Sequence, residues 1–469
     1  MTPATAAATA SESVSAADDV SPARMPVRAC MVVAQCWLCR VAQNVSPAGW
    51  ATLQGQRDCV AARATPGRQD GATGRGGSSA MVGLQSGDRR SWQAAYRSRL
   101  TSPKRRSSLS RDKMLNDVFV LDAICHAYNF RQANRIGQPY ANGIADGVFQ
   151  MHREFSPPNR PDLLLDRDTF DNRICDVDVT GHSIFGESHT DAVIYHELPL
   201  YGYFKDGGSP LAIGEGMRDR WPGRVFLYGG ISPHQDGVLD RIDELVEKHK
   251  ISGIKLYPHD MIDGKLRSFG MDDAELMYPI FERVRKRGLR MVAIHKAIVM
   301  GPVPIEPYFP FEVGAAARAF PELTFEIVHG GWAFMEETVS LLQWHPNITV
   351  STEGTTGLLF KAPRKFAEIL GTLMAAGATD RILWAIGGLM IHSRDFEEAF
   401  WRFEMPQDLI DGYGFPPLTD EVKRGILGLN AARLLGLDVR ATKSAIANDE
   451  FAKPRRLAPQ WSELRKHAA

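Results

Sequence analysis

The chain has 469 residues, 55 basic against 55 acidic side chains, and 44% hydrophobic positions. This is an ordinary globular composition, long enough for up to about three domains. No uninterrupted apolar run approaches the ~18 residues of a membrane helix, and six cysteines are too few and too scattered for a secreted disulfide scaffold. Integral membrane and disulfide-framework classes are therefore excluded, and a cytoplasmic location is expected.

The overall neutrality hides two unlike pieces. Residues 1–113 hold 14 Arg and 2 Lys against 6 Asp and 1 Glu, a net of +9, which leaves −9 for the remainder. They contain no Phe, His or Ile, so they lack the material for a core that offsets chain entropy. The segment reads as a disordered Arg-rich extension. A start placed too far upstream, with Met114 opening the protein, leads the explanations, followed by a targeting segment and a regulatory tail. Lys104-Arg105-Arg106 is too short a basic run to mark a nucleic-acid arm. Cys36 and Cys39 have redox or zinc spacing, but no second pair follows them.

From residue 114 onward, β-branched apolar runs alternate with amphipathic stretches, the pattern of a parallel sheet with helical crossovers. The predicted strands cover 118–125, 191–198, 224–230, 252–257, 289–295, 324–329, 347–352 and 381–386. Between them, Val238, Ile242, Leu245 and Val246 repeat at helical spacing, as do Leu276, Ile280 and Val284. Eight strands in this length predict an α/β fold of the (β/α)8 barrel type. An open doubly wound sheet is the alternative, weakened because no Gly-rich phosphate loop follows the first strand.

Barrels keep their chemistry at the C-terminal ends of the strands. There this sequence places His126, His196, Lys255 with His259 beyond it, His295 followed by Lys296, His329, and Glu353. One histidine is ordinarily a packed or surface residue, but several converging on one rim suit metal binding or proton transfer. The alternation of side chains puts Asp122, Ile124 and His126 on one face and Met291, Ala293 and His295 on another.

At these residues the chain resembles the amidohydrolase-related family (amidohydrolase family 2), in the branch of metal-dependent hydrolases and decarboxylases of the aminocarboxymuconate-semialdehyde type. The similarity runs from about 117 to 438. Val120-Leu-Asp122-Ala-Ile124-Cys-His126 looks like the family's Asp-x-His-x-His strand, and Gly253-Ile-Lys255-Leu-Tyr-Pro258 like its fourth-strand motif. His295 and His329-Gly-Gly look like the fifth- and sixth-strand histidines, and Asn430-Ala-Ala-Arg-Leu-Leu-Gly436 like the closing helix. The resemblance implies a divalent metal, zinc above others, on His126 and His295 with a third ligand from His329, His196 or Glu353. It also implies a catalytic role for His329. Two positions depart from the pattern: the first metal-binding His is Ile124, and the eighth-strand carboxylate falls at Gly387.

Three functions are open. The first is a metal-dependent hydrolase of a small carboxylate- or carbonyl-bearing substrate, with non-oxidative decarboxylation as its alternative. There the metal would polarise an oxygen or activate water, His329 or His196 would carry the proton, and Lys255 would hold an anionic group. The second is metal-free acid–base catalysis by His and Glu353, and the third a silent barrel that binds a partner. Residues 127–190 are expected to form a lid or a packing appendage. The stretch 387–405 should enter a helix capped by Ser393, with His392 or Asp395 as a substitute for the missing carboxylate. His182, His189, His234 and His345 read as surface residues, and Cys125 should face away from His126. Residues 439–469 read as an exposed tail able to wrap a neighbour, and family resemblance implies a possible homodimer. An acidic barrel argues against nucleic-acid binding, and no membrane partner is expected.

Overall fold

The structure is a computed structural model that describes residues 115–466 apart from 116, 302 and 453–460. The expectations for residues 1–113, Cys36 and Cys39, and part of the 439–469 tail lie outside the described residues. Ten strands follow in chain order: β1 (Leu121–Cys125), β2 (Ala192–His196), β3 (Val225–Ile231), β4 (Gly253–Leu256), β5 (His259–Ile262), β6 (Lys265–Ser268), β7 (Met291–His295), β8 (Thr324–Val328), β9 (Ile348–Ser351) and β10 (Ile382–Leu383). Eight of them pair in parallel in the order β1-β2-β3-β4-β7-β8-β9-β10, so the expected (β/α)8 barrel forms. The hairpin β5–β6 is antiparallel and was not anticipated, since its short polar strands lack β-branched runs.

Closure falls to the shortest strand. Beyond the two residues of β10, Ala123 N–H donates to Trp384 O at 2.8 Å and Gly387 N–H to Ile124 O at 3.0 Å. The Asp122 carboxylate adds a side-chain stitch by accepting from Ile124 N at 3.1 Å and Ile386 N at 3.1 Å. Asp122 thus organises the strand. Here the register of β1 shifts between Asp122 and Cys125, so the simple alternation fails. Leu121, Ala123 and Ile124 all join the barrel interior with Ala192, Ile194, Tyr228, Met291, Ala293 and Val328.

Outside this inner cluster lies a larger one between strands and helices, to which Cys125, Val193, Tyr195, Ile254, Leu256, Val292, Ile294, Phe325 and Ile327 contribute. Cys125 therefore does face away from His126, and burial pushes its thiol well up, so it is no nucleophile. The closing helix Asn430–Leu434 is pinned under the barrel by Asn430, whose amide donates to Thr379 O and Ile382 O at 2.9 Å each.

The 127–190 insertion packs on the rim. Its main helix, Tyr140–Phe155, places His152 so that Nδ1 bonds Met390 O at 2.8 Å while Nε2 accepts from Leu165 N at 2.9 Å. The C-terminal residues depart from expectation. Arg224 is paired with Asp449, Trp221 Nε1 donates to Glu450 Oε1 at 2.5 Å, and Phe451 is buried. Trp461 is buried too, its indole donating to Leu163 O at 3.1 Å, and Ser462 N donates to Glu187 at 2.6 Å. The described part of this segment packs on the chain's own barrel because it carries two large aromatics, an apolar payload that outweighs its charges.

Gly388 shows how little room the seam leaves. At φ 58° it occupies left-handed backbone, and a Cβ there would stand 2.2 Å from His126 N and 2.5 Å from His126 O. Gly388→Ala is expected to cost ~3 kcal/mol or more, read as a fall in urea midpoint at unchanged slope; a loss below ~1 kcal/mol would contradict this packing.

Candidate active site

Each rim side chain arrives by strand alternation or by a local break in it. His196 follows Ala192 and Ile194 on the inner face of β2, Lys255 is the inward residue of β4, and His295 completes the inner row of Met291 and Ala293. Glu353 continues the inner row of β9 past Ser351. His329 has the wrong parity, because Val328 already points inward. A left-handed backbone at φ 64° turns it back toward the site. All six residues with His126 are buried, none more than 6% exposed.

The contacts fix much of the protonation. His126 Nδ1 lies 3.0 Å from His196 O and donates to it, which leaves Nε2 bare and 3.6 Å from Glu353 Oε1. His329 Nδ1 donates to Glu353 O at 3.0 Å and stands 3.7 Å from Glu353 Oε2. Its Nε2 is 3.1 Å from His295 Nδ1, and His295 Nε2 meets Ile298 O at 2.6 Å. The His295 ring also stacks on Tyr257, centroids 4.6 Å apart. Glu353 is thus the carboxylate between two histidines.

Lys255 is the unusual member. Its Nζ is fully buried, has no hydrogen-bond partner, and lies 5.3 Å above the Tyr257 ring. Burial lowers its pKa to about 8, against the pull of Glu353 and Glu326. Burial raises Glu353 to about 7, with Lys255 opposing and Glu326 adding to the rise. Burial, then the Lys255 charge, brings His329 down to about 3. His126, His196 and His295 are also pushed well below the usual range by burial, with Lys255 adding to it. Desolvation disfavours every charged form here, and one ammonium sets the field on four imidazoles.

Of the expected site residues, the structure brings together His126, Lys255, His295, His329 and Glu353. His196 stands behind His126, ring centroids 5.9 Å apart, stacked on Tyr228 with neither ring nitrogen hydrogen-bonded. His259 is held between the Tyr203 and Tyr308 hydroxyls, and Lys296 is paired with Glu312. The proposed substitutes for the eighth-strand carboxylate are engaged elsewhere: His392 Nε2 meets Glu187 at 3.1 Å, and Asp395 accepts from Arg160 at 2.6 Å. The helix Ser393–Arg402 has His392 at its N-cap with no side-chain capping bond, so Ser393 does not cap it. His189 is buried, its N–H donating to Glu397 at 2.7 Å. The sequence reading missed Glu326, a second buried carboxylate inside the barrel. Its signal was that Phe325 and Ile327 are the strand's large apolar residues and must face the helices.

The residues do not fit the metal centre that His126, His295 and His329 were expected to form. His295 and His329 could share an ion, but among the described residues no group of three His, Cys, Asp or Glu is placed to hold one. His126 faces Glu353 instead, and Ile124, where the first ligand was sought, packs in the apolar interior. A dication would also have to enter beside the Lys255 ammonium, whose charge already depresses the histidines. Zinc in a catalytic site takes three protein ligands, and two beside a cation are too few.

Gly387 accounts for the other departure. At φ 84°, a Cβ on it would lie 2.4 Å from Glu353 Oε1. The space where an eighth-strand carboxylate would leave the backbone is filled by the carboxylate reaching across from β9. Gly387→Ala should cost ~3 kcal/mol in the parent protein and at least ~1 kcal/mol less in a Glu353→Ala background. Equal losses in chemical denaturation of the two backgrounds would refute that occupancy.

The amidohydrolase family model matches residues 211–437. No curated protein matches the chain. Among solved structures, an uncharacterised TIM-barrel protein from Bordetella bronchiseptica is similar at 16% identity and TM-score 0.49, over 68% of this chain and 99% of that one. A 5-carboxyvanillate decarboxylase from Novosphingobium aromaticivorans, complexed with manganese, is similar at 15% identity and TM-score 0.41, over 68% and 96%. A 4-oxalomesaconate hydratase from Rhodopseudomonas palustris follows at 17% and 0.41, over 70% and 98%. The match covers strands β3 to β10 and the closing helix, so this part of the chain is similar to the amidohydrolase family.

Proposed function

We propose that this barrel is a hydrolase acting by acid–base catalysis on a small organic substrate that carries a carbonyl or carboxylate group. The observation that carries the reading is Lys255, a wholly buried ammonium with no hydrogen-bond partner among four histidines and two carboxylates. A charge desolvated in this way is costly, and a substrate oxygen bearing negative charge offsets that cost. Lys255 would hold the carbonyl oxygen and stabilise the oxyanion as it develops, the strongest use of a fixed donor in a dry site. Glu353, flanked by the bare Nε2 of His126 and by His329, would take a proton from the attacking water and return it to the leaving atom. In that sequence the water's oxygen bonds the carbonyl carbon, the bond to the leaving group breaks, and the proton count closes on Glu353.

Non-oxidative decarboxylation is the second reading, favoured by the burial of every rim side chain to 6% exposure or less, since excluding water assists departure of carbon dioxide. Glu353 would then deliver its proton to the substrate carbon. A small-molecule substrate is common to both readings, and a homodimer is compatible with either.

The test is a panel of lactones, amides, esters and aromatic carboxylates, with carbon dioxide release monitored in parallel. Lys255→Met should lower kcat/KM on the substrate found by ~1000-fold or more, while exhaustive chelation followed by metal analysis leaves the parent rate unchanged. A rate abolished by chelation and restored by one metal ion would overturn the metal-free mechanism. The pH profile should be a narrow bell. Activity rises as Glu353 ionises at about 7 and falls as Lys255 loses its proton at about 8, the two limbs belonging to the coupled pair. In Glu353→Gln the lower limb should vanish along with most of the rate.

A further inference from the structure

One buried carboxylate has no task in the proposed reaction. Glu326 lies in the middle of β8, is wholly buried, and has no charged group within hydrogen-bond distance, the Ser351 hydroxyl being the polar neighbour that acts on it. Phe325 and Ile327 pack outward among the helices while Val328 joins the interior, so alternation directs Glu326 into the barrel. The strand register runs Lys255 to Ala293 to Glu326 across β4, β7 and β8. Two strand spacings separate the outer Cα atoms by about 10 Å. The residue between them is alanine, which leaves a long ammonium and a long carboxylate room to approach.

Each of these groups alone would be a charge buried without compensation, and each supplies what the other lacks. Their surroundings offer little else. The hydroxyls of Ser351 and Tyr228 and the His196 ring are the other polar groups there, and none of these carries a fixed charge. The titratable groups acting on Lys255 are Glu353, Glu326, His126, His196, His295 and His329, with the Tyr257 ring beneath it. Those acting on or with Glu326 are the Ser351 hydroxyl, Lys255, the like-charged Glu353 and, through its hydroxyl, Tyr228. Glu353 is committed at the rim between His126 and His329.

We infer that Glu326 is a positioning residue, the counter-charge inside the barrel that holds the Lys255 ammonium charged and in place beneath the substrate. The inference rests on the reading of Lys255 as the substrate-binding cation. Glu353 draws the ammonium toward the rim, Glu326 draws it inward, and the balance fixes where a substrate oxygen meets it. Burial raises Glu326 to about 7 against the Ser351 hydroxyl and then the pull of Lys255, so the interior carboxylate and the lysine exchange influence in the same pH range as the catalytic acid.

The test uses the full chain labelled with 13C at the lysine ε-carbon, with the Lys255 signal assigned by its loss in Lys255→Met. In Glu326→Gln, removal of a negative charge should move the Lys255 titration midpoint down by about one pH unit or more. Glu326→Asp withdraws the carboxylate by one carbon and should move it in the same direction by less. A midpoint unchanged in a folded Gln variant overturns the inference. Where the Gln variant does not fold, an unchanged midpoint in Glu326→Asp does so. The readout needs no turnover, so a Lys255→Met protein with full activity would sink the proposed function separately.

Discussion

The rim hangs from a seam. The barrel closes between β1 and the chain that follows β10, where only two residues of regular strand are available and a handful of backbone hydrogen bonds with the Asp122 carboxylate do the rest. That seam sets the end of β1, hence His126, and brings Gly387 and Gly388 against it. Both glycines sit in left-handed backbone, and a Cβ on either would strike the site, Glu353 in one case and His126 in the other. Close approach at the seam is therefore what admits a carboxylate from β9 to the place that the eighth strand leaves empty.

Electrostatics follow from this enclosure. With so little exposed surface at the rim, each ionisable group is held toward its neutral form, and the opposite charges around it decide which stay charged. Lys255 and the carboxylates Glu353 and Glu326 stand at the centre, while His295 and His329 bond each other and His126, His295 and His329 each bond a backbone carbonyl. A single buried cation beside two acids makes a site suited to receiving an anionic oxygen and moving one proton. The same cation weighs against a divalent ion in that space.

Much of this was legible beforehand. The eight strands announced themselves as β-branched runs, and the ionisable residues stood out because they end those runs. Alternation correctly turned His295 inward and Cys125 outward. It failed where the backbone breaks period two. The irregularity in β1 between Asp122 and Cys125 brought Ala123 into the interior along with Ile124. The positive φ of His329 turned it inward although its parity points out, and so concealed Glu326. The C-terminal segment misled through its charges, while its packing was decided by Phe451 and Trp461.

What the sequence determined by itself was the barrel, the set of rim residues and the two departures at Ile124 and Gly387. These depend on local periodicity and on residue chemistry, which a linear reading carries. Only the tertiary structure decided that Glu353 fills the space at Gly387, that His295 and His329 bond each other, and that Lys255 and Glu326 share one row of the interior. Those relations join residues far apart in the chain through strand register and backbone strain, and burial then sets their charges, which no single segment contains.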